Sequence, residues 1–159
     1  MDPRLWTTTI LWIHAGAGAT WIGACACFVI AGLALTPGSV EQRNFAVGAA
    51  PKIDRLALIT ASLLFLTGLL NLYITGLWNG LAAFSTAFII VLAIKIGLFI
   101  AMVSAMHWTM RIGAVIKAVI ERERTDALPG AITRMVKAHA AVVAMGGIAL
   151  MLGLWLMGT

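Results

Sequence analysis

Apolar residues run through the chain in four long stretches rather than alternating with polar ones. The stretches cover about residues 5–35, 55–78, 82–116 and 132–157. Each exceeds the roughly 20 apolar residues that cross a hydrocarbon core. A membrane barrel needs polar–apolar alternation, so the pattern predicts helices. Thr36-Pro37-Gly38 ends the first stretch. Segment 76–81 is uncharged and reads as a tight turn, and 36–54 reads as a connection holding charge, Gly and Pro. The third stretch is longer than a bilayer requires. It is expected to continue as a helix past Arg111 and Lys117 toward Glu123, until Leu128-Pro129-Gly130 breaks it. The expected fold class is all-α: one membrane domain over 1–159, an integral membrane antiparallel four-helix bundle with short connections.

Composition agrees. Of the 159 residues, 62% are hydrophobic and 11% charged, against about 45–50% and about 25% in soluble domains. A disordered tail, a secreted disulfide scaffold and an ordinary cytosolic enzyme are excluded on that balance. Cys25 and Cys27, two apart on a helix, face roughly 200° apart and cannot bridge there. The first apolar run is far longer than the roughly 7–15 residues of a signal peptide, so none is expected.

Charge sets an expected orientation. The first and third connections hold Arg43, Lys52, Arg55, Arg111, Lys117, Arg122, Arg124, Arg134 and Lys137, and the opposite side has only Arg4. Nine against one puts the connections in the cytosol and both termini outside, in the periplasm of a bacterial inner membrane. Trp6, Trp78 and Trp155 then fall at the outer interface. The net charge of +5 follows from this asymmetry and is no sign of nucleic-acid binding.

Ionisable groups inside spans are functional hypotheses by default. His14, Lys95, His107 and His139 are such groups, and no Asp or Glu is expected within a span to pair with Lys95. Counting a rise of about 1.5 Å per residue puts His14, Lys95 and Asn71 in one outer layer. The same count puts His107 and His139 near the cytosolic face, on different helices. His14, Gly18, Trp21 and Cys25 share a stripe, and Gly18 frees the space a flat macrocycle needs beside the imidazole. Ala15, Ala19, Gly23 and Cys27 form a second stripe of small residues, expected to pack helices together. Lys95, Met102 and Met106 share a stripe from which His107 points roughly 120° away. Cys25, Met102, Met106 and Met110 are soft donors that suit copper, although Met is also a common apolar filler. No Walker, GxGxxG, HExxH or CxxCH pattern is present.

Several of these residues carry a family resemblance. Trp12-Ile13-His14 with Ala19-Thr20-Trp21-Ile22-Gly23 resembles the first span of the copper resistance protein D-like and HemJ-like membrane proteins. Leu66-Thr67-Gly68-Leu69-Leu70-Asn71 resembles their second, and Lys95-Ile96-Gly97-Leu98, with a His twelve residues on, their third. The HemJ-like branch implies a haem b protein linked to protoporphyrinogen oxidation, with His14 and Lys95 in the positions needed for function. The copper branch implies copper uptake or handling. Leu35-Thr36-Pro37 stands where the HemJ-like pattern has an Arg and a Tyr-His, and His139 replaces a Phe-Asn segment. These departures weigh against the oxidase reaction, and Thr36-Pro37 and Thr67-Gly68 look more like the copper branch.

The leading expectation is a small b-type haem protein with a redox or electron-transfer role. His107 and His139 are the expected axial pair, His14 a second candidate ligand, and Lys95 a partner for a propionate or a quinone-like substrate. The alternatives are a copper transport or resistance protein using Cys25, Met102, Met106 and Met110, and a cofactor-free accessory subunit of a larger membrane complex. Expected partners are the lipid bilayer, a quinone or porphyrin, and other membrane subunits.

Overall fold

The computed structural model describes residues 3–79, 84–121 and 128–158, and its regular elements are four α-helices: α1 (Pro3–Ala34), α2 (Val40–Asn79), α3 (Thr86–Glu121) and α4 (Leu128–Gly158). All four are long and apolar enough to cross a membrane, which makes this an integral membrane protein. Helices satisfy their own backbone polar groups, which a bilayer core cannot do for them. Exposed hydroxyls follow the same logic. Thr9, Thr20, Ser62, Ser104 and Thr133 each donate to the carbonyl four residues back, at 2.8–2.9 Å.

The helices form a ring in chain order, with α1 closing onto α4. Neighbours are antiparallel: His14 meets Thr67 and Phe28 meets Phe45 between α1 and α2, while Gly146 faces Ile22 and His139 stacks on Phe28 between α4 and α1. Large apolar side chains such as Trp12, Ile30, Leu58, Ile100 and Met151 point outward, as a lipid-facing shell requires.

Two buried clusters hold the bundle. The one at the basic end joins Phe28, Ile112, Ile116, Ile132 and Met135. The middle one joins Trp21, Cys25, Ala57, Met102, Met106 and Val142. Among the described residues no further buried apolar cluster surrounds His14 and Lys95, toward the end with the termini.

Three boundaries differ from the sequence expectation. Segment 36–54 is mostly helix, since α2 starts at Val40. Ser39 explains the early start: its Oγ accepts from the Gln42 amide at 3.1 Å, and Gln42 Oε1 accepts from the Gly38 amide at 2.9 Å. This is a variant of the capping box. Gly38 takes φ 81°, a conformation open to Gly, and α2 continues through Pro51. Residues 76–79, expected to turn, are the last turn of α2. Leu128-Pro129-Gly130 begins α4 rather than breaking α3, because proline is tolerated in a first helical turn. Residues 80–83 and 122–127, with the end of the expected turn, Arg122, Glu123 and Arg124, lie outside the described residues, as does the side chain of Trp78. Trp6 and Trp155 are exposed at one end, where the belt was expected.

The stripe of Ala15, Ala19, Gly23 and Cys27 does not pack helices: all four are exposed. The packed face of α1 is Ile10, Ala17, Trp21, Cys25 and Phe28. A helix apolar all round leaves that choice to packing. Turning Trp21 and Phe28 inward buries much more side-chain surface than alanines do.

Candidate functional site

Polar side chains enter the bundle interior in two layers. The layer nearer the termini is built on His14 of α1. Its Nδ1 lies 2.8 Å from Thr67 Oγ1 on α2. Thr67 Oγ1 also lies 2.6 Å from the Leu63 carbonyl; with its hydroxyl hydrogen on that carbonyl, the threonine oxygen accepts and His14 Nδ1 carries the proton. Nε2 therefore keeps its lone pair. Gly68 lies directly beside the ring; a Cβ there would stand 3.5 Å from His14 Cε1.

Lys95 of α3 is within electrostatic reach of His14. Its Nζ lies against Gly153 of α4, 3.1 Å from where a Cβ would be. No carboxylate of the described residues pairs with it. Asn71, expected in the same layer, is one turn past Thr67 and partly buried. An apolar groove of about 630 Å³ opens between α2 and α3, lined by residues that include Leu72, Tyr73, Phe88 and Leu92. Leu72 is one turn from Gly68 and Leu92 one turn from Lys95, although His14, Gly68 and Lys95 do not themselves line the groove.

The deeper layer lies toward the basic end. His139 of α4 is fully buried and stacks on Phe28, ring centroids 4.3 Å apart. Its Nδ1 lies 2.9 Å from the Met135 carbonyl, which can only accept, so Nδ1 is again the protonated nitrogen. Nε2 is buried and has no partner. Asp54 of α2 is buried, accepts from Thr109 Oγ1 at 3.0 Å and lies within electrostatic reach of His139 and Cys25. Asp54, expected just before the second span, lies inside α2, which extends past it in both directions. Cys25 Sγ stands 4.0 Å from Met106 Sδ.

The structure thus separates the expected axial pair. His107 is on the outside of α3, exposed, with Nε2 accepting from Arg111 Nε at 3.1 Å. His139 is inside the bundle. The roughly 120° offset of His107 from the Lys95 stripe is the cause. Of the copper candidates, Cys25, Met102 and Met106 share the middle cluster, whereas Met110 is only partly buried and outside it. Gly18, expected to free space beside the imidazole, faces Leu64 of α2; a Cβ there would stand 3.7 Å from Leu64 Cδ2. Thr67, Thr109 and Asp54 escaped the sequence reading; the signal for Asp54 was the capping box that starts α2 so early.

No family model matches the chain, and neither a curated protein nor a solved structure matches it. Among the described residues, no three His, Cys, Asp or Glu side chains gather as a metal site.

Proposed function

We propose that the protein is a membrane-embedded b-type haem carrier with a redox role, its haem held at the His14 layer. One observation carries this reading: His14 Nδ1 is tied to Thr67 Oγ1 at 2.8 Å, which leaves Nε2 for a ligand in the layer that also holds Lys95. Metal-ligating histidines characteristically donate their other ring nitrogen to such a partner.

The residues present fit the group. His14 Nε2 would hold the iron, Lys95 would pair with a propionate, and the groove residues would supply apolar contact. Gly68 keeps bulk away from the imidazole. Bound haem would supply one-electron chemistry; the chain's part is to bind, orient and exclude water. The reading differs from a His107–His139 pair in having one axial histidine. Localisation to a bacterial inner membrane with both termini in the periplasm belongs to the same proposal, supported by the nine-to-one bias of basic residues. A quinone-like electron partner fits a site reached from the lipid.

The test is reconstitution of the detergent-purified protein with haem. One haem per chain is expected, with a high-spin spectrum that responds to carbon monoxide. His14→Ala is expected to abolish binding and His107→Ala to leave it intact. Haem retained by His14→Ala, or none bound by the wild type, would sink the reading.

A further inference from the structure

His107 and Arg111 lie outside the haem site, on the outer face of α3. His107 Nε2 accepts from Arg111 Nε at 3.1 Å. That bond fixes the guanidinium plane and leaves the two Nη groups, the prongs that engage a phosphate bidentately. Trp108, between them in sequence, is 56% exposed. Residues 107, 108 and 111 fall within about 100° of arc, so they share one side of the helix. Depth decides what that side meets. At a rise of about 1.5 Å per residue, His107 is about 32 Å and Arg111 about 38 Å along α3 from Thr86. The hydrocarbon core is about 30 Å thick, and about 40–45 Å with its headgroups. The three side chains therefore stand at headgroup level, where exposed tryptophan is favoured. Val103 and Ile100, one and two turns back on the same stripe, are exposed and apolar.

Two more arginines share this level. Thr109 of α3 bonds Asp54 of α2, and Gly113 of α3 faces Met135 of α4, whose Cε would stand 3.8 Å from a Cβ there. Arg55 follows Asp54 and Arg134 precedes Met135, and both are exposed. Arg134 Nε is also held on its own helix, by the Gly130 carbonyl at 3.3 Å. Among the described residues none of the three arginines has a carboxylate partner. Asp54, at the same level, is buried and taken by Thr109. Exposed cations on three helices, with the acid turned inward, complement an anionic headgroup. We propose that the outer face of α3 at the basic end binds an anionic phospholipid. The Arg111 Nη pair clamps the headgroup phosphate, His107 orients the guanidinium, and the Ile100–Val103 stripe receives an acyl chain. Arg55 and Arg134 extend the band to α2 and α4. The site does not depend on haem at His14.

Titration of the delipidated full-length protein in detergent with phosphatidylglycerol or phosphatidylcholine, the retained lipid counted by native mass spectrometry, tests this. Phosphatidylglycerol is expected to be retained in preference to phosphatidylcholine. Arg111→Gln is expected to weaken its retention about tenfold, the worth of one charge-assisted bidentate contact. Arg111→Lys keeps the charge without the fork and is expected to recover only part of that loss. His107→Ala is expected to weaken retention about threefold, through loss of the bond that orients Arg111. Lys117→Gln removes an exposed charge of α3 from beyond this level and is expected to matter less than Arg111→Gln. Equal retention of the two lipids would overturn the proposal. So would equal losses in Arg111→Gln and Lys117→Gln, which would mark diffuse attraction to the basic end. Release of the lipid by excess inorganic phosphate would overturn it too, since free phosphate would then be the ligand. All of these variants are expected to keep haem binding, which separates this site from the His14 reading.

Discussion

His14 and Thr67 meet at 2.8 Å between α1 and α2, and His14 Nδ1 is the donor when Thr67 places its own hydrogen on the Leu63 carbonyl, 2.6 Å away. The pair therefore fixes both the ring and its tautomer. Thr67→Val removes the acceptor and keeps the shape. It is expected to cost about 1 kcal/mol of stability and to weaken haem binding about tenfold or more. Thr67→Ser is expected to restore both. Haem titration beside denaturant unfolding in detergent separates the two effects, and equal binding by Thr67→Val would remove the orienting role.

Thr109 sits between Asp54 Oδ1 and the Met106 carbonyl, at 3.0 and 2.7 Å. Thr109→Val leaves the buried Asp54 without its hydroxyl donor. The expected loss is about 1–3 kcal/mol. Replacing both, as Asp54→Leu with Thr109→Val, is expected to cost less than the sum of the single changes, since neither orphan then remains. Additive losses in a double-mutant cycle would show that the bond contributes little.

Gly146 of α4 packs against Ile22 of α1. A Cβ there would meet Ile22 Cγ1 at 2.5 Å and Cδ1 at 2.8 Å. Gly146→Ala is expected to destabilise the bundle by about 1–3 kcal/mol through overpacking. Ile22→Ala in the same chain is expected to recover most of that loss. Thermal unfolding of the three variants in one detergent gives the comparison.

The four spans were legible because long apolar runs leave helices as the only economical structure in lipid. The face each helix turns inward was only partly legible. The His14, Gly18, Trp21, Cys25 stripe faces inward as its spacing suggested, yet the small-residue stripe beside it had an equal claim from spacing alone. Hydropathy contrast orients a soluble helix but not one that is apolar on every side. Asp54 was misplaced for a different reason. Charge and Pro51 made its segment look like a loop, whereas the Ser39–Gln42 cap and the packing of Ala46 and Ala50 hold it as helix. The axial pair failed because depth was read without direction: His107 has a place near the basic end but faces outward.

His107 supplies the corresponding control. Its exposed ring accepts from Arg111, one turn along the same helix. His107→Ala is expected to change stability by no more than about 0.5 kcal/mol and to leave haem binding as it is. A loss of haem in this variant would restore His107 to the site and count against the His14 reading.

Lys95 is the remaining charge of the His14 layer, and Gly153 leaves the room its ammonium occupies. A cation beside a haem favours the reduced, less positive state, so removing it lowers the midpoint potential. At an effective dielectric near 20 and a separation of about 10 Å, one charge is worth on the order of 1–2 kcal/mol. Lys95→Met is therefore expected to lower the potential by on the order of 50 mV. Gly153→Ala crowds Nζ, whose flexible stem moves aside without breaking the fold, and is expected to shift the potential less, in the same direction. Redox titration of the reconstituted variants reads both. A potential that ignores Lys95→Met would place the haem away from this layer, and a fall in the Gly153→Ala potential larger than that of Lys95→Met would show that the glycine acts on the haem directly rather than through the lysine.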